Sequence, residues 1–293
     1  MGLGEFFALA SALGWALAVV LFRRAGNALP AFETNLFKVI LAFVLLWPTL
    51  WLVEGLTLPR YSALEFVTVI LSGYIGIAVA DTWYLRALHL VGAGRIGIVS
   101  SLLSPFVILL SVLFLGERLG PWQVAGFILV MMGLLLVTWQ ENREQVDVGN
   151  LRRGMTWGIA AVFLMAVGVV MVKEILETRS FLWTVQLRVM GGIAGMLLYL
   201  ASRRRFAETW QRFKQPLPWG LIFIASLLAS YISMMMWLYS YKLIPASVSS
   251  VLNQSSNAWI VLLAWLLLRE HIGWRKFWGL FLTTLGVLVM LLV

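Results

Sequence analysis

Four groups of residues in this chain have types and spacings suited to chemistry. The stretch NQSSN, 253–257, sets Asn253 and Asn257 four residues apart, on one face of a helix with Ser250, so two amides and a hydroxyl can address one ligand. Ser100, Ser101 and Ser104 form a weaker version, and Pro105 releases the Ser101 carbonyl from helix bonding. Asp81, Lys38 and Arg188 are charges inside apolar runs, where each needs a partner or water. Trp15, Tyr84, Trp237 and Tyr239, with Trp83, Tyr231 and Tyr241, can wall a site for an amphipathic or aromatic molecule or hold an amine by cation–π attraction. Each group has a plainer reading as well. The amides can form an interhelical seam, and the aromatics belts at the membrane interfaces. Asp81 can be a structural ion pair with Lys38 or Arg188, a proton-coupling carboxylate, or the holder of a charged substrate.

No catalytic or cofactor constellation stands beside these groups. The chain has no cysteine and two histidines, which excludes disulfides and thiolate sites and argues against a metal site or any bound cofactor. It contains neither a GxxxxGK[ST] phosphate loop nor HExxH, so transport, if that is the task, draws on a gradient rather than on ATP hydrolysed here. The chain reads as a non-enzyme.

The elements that must position these residues are membrane helices. Of 293 residues 61% are hydrophobic and 12% charged, too little polar surface for a water-facing globule. Apolar windows of about 20 residues, enough to cross ~30 Å of hydrocarbon, recur ten times, near 5–21, 32–53, 64–88, 96–115, 122–139, 155–175, 181–201, 218–243, 246–268 and 277–293. Spans of this kind must be helices, because lipid offers no partner for a free amide. The passage LFLGERLGPWQVAGFILVMMGLLLV, 113–137, returns as LLLREHIGWRKFWGLFLTTLGVLVM, 266–290. Glu117 and Glu270, Gly126 and Gly279, and Gly133 and Gly286 are each 153 residues apart. The fold class is therefore all-α integral membrane, ten transmembrane helices in two five-helix repeats, 1–139 and 155–293, joined by a polar cytoplasmic linker, 140–154. Five spans per repeat force the halves to insert in opposite senses, which makes the repeats inverted.

The net charge of +9 lies mostly in short connections, which points to orientation and anionic lipid headgroups rather than nucleic acid. Fourteen Lys and Arg fall in odd-numbered connections and four in even-numbered ones. The odd set is thus cytoplasmic, and both termini lie on the outer, periplasmic face of the inner (plasma) membrane. Within this frame Glu33 favours the positive start of the second helix, and Glu117 and Glu270 cap the helices that follow their turns. Lys173 and Glu174 snorkel at a helix end. The spaced glycines read as helix-packing positions.

The aromatic-rich third span, the small-residue fourth span with Ser104-Pro105, the Gly116-Glu117 turn and the Gly-spaced fifth span resemble the EamA domain of the drug/metabolite transporter superfamily, and the second copy resembles it too. The resemblance implies an inverted-repeat fold around a central cavity and secondary transport of small metabolites, often export. Two features depart from the common pattern. The basic cluster SRRRFAETWQRFK, 202–214, follows the seventh span while 51–59 is neutral, which argues against the usual cytoplasmic N-terminus. Asn257 replaces Ser104 without a following proline, so the fourth and ninth helices are expected to bend differently. The expected function is export of an amino acid or another amphipathic or aromatic metabolite by alternating access, with protons as one reading of the coupling ion. The alternatives are a membrane enzyme or a non-transporting sensor or assembly subunit acting on a lipid or small ligand. The sequence leaves the oligomeric state open.

Overall fold

The computed structural model describes residues 2–25, 29–55, 57, 59–138, 148–268 and 273–291. Glu270, His271, Arg143, Arg269 and the linker stretch 140–147 lie outside the described residues. Residues 148–154 already belong to a helix. The regular structure of the described residues is helical, with no strand among them.

The first half runs α1 (Leu3–Ala25), α2 (Ala31–Val53), α3 (Ala63–Gly73), a π-helical stretch (Tyr74–Ala80), α4 (Asp81–Ser100), α5 (Leu103–Leu110), a second π-helical stretch (Ser111–Leu115) and α6 (Pro121–Thr138). The second runs α7 (Val148–Val170), α8 (Lys173–Thr178), α9 (Phe181–Arg203), α10 (Phe206–Phe213), α11 (Trp219–Ser226), a π-helical stretch (Leu227–Ser233), α12 (Met234–Leu243), α13 (Ala246–Asn253), α14 (Ser256–Leu268) and α15 (Trp274–Leu291). Six segments are long and apolar enough to cross a membrane: Leu3–Phe22, Ala31–Val53, Ala63–Tyr84, Gly149–Thr178, Phe181–Arg203 and Trp219–Leu243. Three apolar helices, Leu103–Leu115, Pro121–Leu136 and Phe277–Leu291, are shorter. The expected ninth span is divided into α13 and α14.

The 153-residue register seen in sequence extends to irregular backbone. The π-helical stretches at 74 and 227, the helices at 103 and 256, and those at 121 and 274 each start 153 residues apart. Both the fourth and ninth expected spans break at the same place. The Leu102 N–H bonds the Val99 carbonyl, and the Ser255 N–H bonds the Leu252 carbonyl. The expectation that these helices differ because only one has a proline is therefore corrected. Pro105 lies beyond the break, and Gln254 and Ser255 make the same turn without it.

Although α4 is helical throughout, it doubles back. Tyr84 and Ser100, 16 residues apart, are hydrogen-bonded at 2.8 Å, whereas a straight helix would separate them by ~24 Å. This return joins the expected third and fourth spans. In the second half the corresponding corner falls at Ile244 and Pro245 and is tied by the Ser240 and Ser249 hydroxyls, 2.6 Å apart.

The halves interlock. Helix α1 packs on α11 to α14 of the second half, and α7 packs on α4 and α5 of the first. Helices α2 and α9 meet between them, and buried side chains from both halves, among them Leu46, Ile77, Val107, Val189 and Leu238, form one apolar core. The α6–α15 pair is set by glycine. A methyl on Gly126 would stand 2.8 Å from the Gly286 carbonyl oxygen, and one on Gly133 2.6 Å from that of Gly279. The pairing of 126 with 286 and of 133 with 279 makes the two helices antiparallel. Without a hydrophobic force between helices in lipid, such close backbone approach is what holds them.

Segment 202–214, expected as a basic loop, contains the amphipathic helix α10. It turns Thr209 inward, 3% exposed, and Trp210 outward, 62% exposed.

Candidate functional site

Helix α2 carries Lys38 and the start of α4 carries Asp81, and the two meet at 3.5 Å with side chains 14% and 25% exposed. The Lys38 ammonium also lies 5.6 Å from the centre of the Trp15 ring on α1. Three expected residues are thus brought into one group: a carboxylate, an ammonium and an indole face. One turn along α4, Tyr84 reaches Ser100. The Ser100 carbonyl accepts from Gln254 Nε2 at 3.0 Å, and the Ser101 carbonyl accepts from the same amide at 3.4 Å. Gln254 Oε1 in turn accepts from Asn257 Nδ2 at 3.2 Å. A polar path therefore crosses from the Tyr84 corner of the first half to the break in the ninth expected span of the second.

Gln254 is the link the sequence reading passed over. Its signal was available: it lies inside NQSSN and is the register partner of Ser101. Asn253 and Asn257 do not act as a pair, because the break at Gln254 and Ser255 interrupts the helix between them. Asn253 instead donates to Ser11 Oγ at 2.7 Å and to the Ala8 carbonyl at 3.5 Å, making a seam between α13 and α1. Ser104 donates to the Ser250 carbonyl at 3.0 Å, and the Ser250 hydroxyl bonds the Ser247 carbonyl of its own helix. Tyr239 is enclosed edge-on by Phe7 and Phe181, with ring centres 5.0 and 4.9 Å away, and belongs to packing.

Arg188 forms no ion pair with Asp81 within 4 Å. It is 3% exposed, and its Nη1 donates to the Gly168 carbonyl at 2.5 Å. Trp237, the register partner of Tyr84, packs on Tyr241, with ring centres 5.3 Å apart.

Two corrections concern the ends of the helices. Glu33 is 1% exposed; Thr209 Oγ1 donates to it at 3.4 Å, and Arg212 lies 3.5 Å away. Its partners therefore come from α10, a helix the sequence reading had as loop. Lys173 does not snorkel. It is 4% exposed, pairs with Glu177, and faces a ~300 Å³ pocket shared with Glu117 and Glu174.

The model of the EamA-like transporter family matches residues 2–139 and 152–292. No curated protein matches the chain. Twenty-nine chains of solved structures are similar to it. Among them is a crystal structure with 16% sequence identity and a TM-score of 0.79, covering 99% of this chain and 96% of that one. At that identity the likeness speaks for the fold alone.

Proposed function

The chain belongs to the EamA-like transporter family and is a multi-pass membrane protein, and from that premise we propose that it is a secondary carrier exporting an amino acid or a related amphipathic or aromatic metabolite by alternating access. The proposed frame is ten spans in two inverted five-helix halves, 1–139 and 155–293, set in the inner membrane with both termini outside. The antiparallel α6–α15 pair supports the inversion, since equivalent helices of the two halves run in opposite senses. Fourteen basic residues against four support the orientation.

The observation that carries the reading is the partly exposed Lys38–Asp81 pair beside Trp15, within apolar helices. Each charge alone would cost at least about 2.5 kcal/mol at the bilayer centre. A pair left partly accessible can exchange partners with a ligand or a proton. The central cavity is proposed here, walled by Trp15 and Tyr84 and continued by Gln254 and Asn257. Rocking one half against the other would expose it to each face in turn.

Reconstituted protein tests the reading. Counterflow of a labelled amino acid should occur in proteoliposomes. Asp81→Asn should abolish gradient-driven flux while leaving exchange if Asp81 couples protons. Recovery of a chemically altered product would instead favour a membrane enzyme. A C-terminal reporter active only in the cytoplasm would reverse the orientation.

A further inference from the structure

The stretch around α10 carries more positive charge than its own carboxylates use. Arg203, Arg204, Arg205, Arg212 and Lys214 share segment 202–214 with a single acid, Glu208. Arg205 and Arg212 both donate to Glu208, and Arg212 also reaches Glu33. Arg203, Arg204 and Lys214 are exposed, and among the described residues none of the three has a carboxylate within ion-pair distance. Arg204 makes the turn between α9 and α10 at φ 53°, the one positive φ outside glycine among the described residues. Glycine adopts that conformation without steric cost, yet the turn carries a guanidinium.

The same short helix leaves two large aromatics outside. Phe206 is 49% and Trp210 62% exposed. They stand four residues apart and so on one face of α10, and the Lys214 ammonium lies 5.5 Å from the centre of the Trp210 ring. The opposite face is already in use. Thr209 and Arg212 hold the buried Glu33, and Phe213 packs against the buried cluster of Leu36, Ala78, Met196 and Leu200. The level of α10 is fixed as well. One membrane-spanning segment ends at Arg203 and the next begins at Trp219. Two residues therefore join α10 to the first and five to the second, and two residues reach no further than ~7 Å. The helix is held at the membrane edge with its cations and aromatics unpartnered.

We propose that α10 and its flanks form a receptor for anionic phospholipid, with Arg203, Arg204 and Lys214 on the phosphate groups and Phe206 and Trp210 in the interfacial layer. Charge and level together select this occupant. Exposed cations at the membrane edge are drawn to anionic headgroups, and the amphipathic ring of tryptophan settles at headgroup depth. A soluble acidic partner matches the cations, but the two aromatics stand where the bilayer itself is the nearest apolar phase. Because the inner face of α10 holds Glu33 and Leu36, lipid bound outside also steadies the start of α2, in the other half of the chain. The inference does not depend on the transport reading.

The test titrates the purified full chain in detergent with phosphatidylglycerol or with phosphatidylcholine of the same acyl chains and reads the melting temperature. Phosphatidylglycerol should raise it more. A cation near an anionic surface is worth about fivefold in binding, so Arg204→Gly should need about five times more phosphatidylglycerol for half the shift. Glycine suits the turn at 204, so this variant should melt no lower than the wild type without lipid, and it decides the matter if a double variant does not fold. Arg203→Gln combined with Arg204→Gly should need about 25 times more. Arg152→Gln combined with Arg153→Gln removes two exposed arginines from α7 and should leave the preference intact. The chain has no cysteine, so Ala207→Cys gives a single attachment point for a nitroxide on α10. In phosphatidylglycerol vesicles that label should be shielded from a water-soluble relaxation agent and open to oxygen. Equal stabilisation by the two lipids, a preference that survives the changes at 203 and 204, or one lost equally with Arg152 and Arg153, overturns the receptor. A label fully open to water overturns it too and leaves this face to an acidic protein.

Discussion

The Glu117 carboxylate, in the first half of the chain, caps the first turn of α13 in the second. It accepts from the backbone N–H of Ala246 at 2.6 Å and of Ser247 at 2.9 Å, and from the Ser247 hydroxyl at 2.6 Å. The sequence reading gave Glu117 to its own following helix. Gly116, in the left-handed region at φ 67°, turns the chain away from that role, and Gln123 caps α6 instead through the Gly120 N–H at 2.9 Å. Glu117→Gln should therefore loosen the junction between halves by about 0.5–2 kcal/mol, the range of a lost helix cap. Thermal unfolding in detergent measures it, and Ser247→Ala should show a smaller loss. An unchanged melting temperature in both variants would mean the cap contributes nothing.

The α6–α15 crossing is predicted to reject any side chain at its centre. Gly133→Ala places a methyl against the Gly279 carbonyl and the Thr283 N–H, which are backbone atoms of a neighbouring helix and cannot rotate aside. Overpacking of this kind costs about 1–3 kcal/mol. Gly220→Ala is the control, because nothing lies within 4 Å of the added methyl and alanine is favoured in a helix by up to ~1 kcal/mol. If the two variants melt alike, the glycines do not set the helix spacing.

Asn253→Ala should act on stability. Its amide ties α13 to Ser11 and Ala8 on α1, and such bonds in membranes contribute about 0.6–2 kcal/mol. Flux per folded molecule should stay at the wild-type level while the melting temperature falls. A fall in flux without a change in melting would return Asn253 to the substrate path.

Acid should weaken the hold on α10. Glu208 accepts from Arg205 Nε at 2.7 Å and from Arg212 Nη2 at 2.6 Å. These guanidinium groups, Arg205 first, hold its carboxyl down from 4.5 to about 2. A depressed carboxyl resists protonation in the folded state, so its contribution is present above pH 4.5 and is lost as the pH falls toward about 2. The wild-type melting temperature should fall more steeply across that interval than that of Glu208→Gln, and the gap should narrow in high salt because the group is exposed. Parallel curves would show that the pairs carry no linkage.

Much of the frame was legible in sequence because it rests on repetition and glycine. The 153-residue register predicted which elements correspond, and Gly126, Gly133, Gly279 and Gly286 marked a packing surface. Sequence could not show that Gly126 meets Gly286 rather than its own register partner, since that depends on how the halves face each other. Glu33 read as a helix-start carboxylate because Arg212 is remote in sequence and α10 is short. Its alternation of aromatic and charged residues resembled a loop. The Asn253–Asn257 pairing failed for a local reason, a helix break that no proline announces. Gln254 was missed because a single amide carries meaning only through its neighbours, here the Ser100 and Ser101 carbonyls across the halves.

Both halves wind their third helix loosely at the same point, Tyr74–Ala80 in one and Leu227–Ser233 in the other. One surplus residue in a helix turns everything beyond it by about 100°. Asp81 and Tyr84 lie just past the first such stretch, and Trp237 and Tyr241 just past the second. The extra residue therefore sets the compass bearing of every polar group these helices display, and removing it would swing them toward lipid. Both halves carry this stretch at the same register position, so the polar faces of both are aimed by the same device.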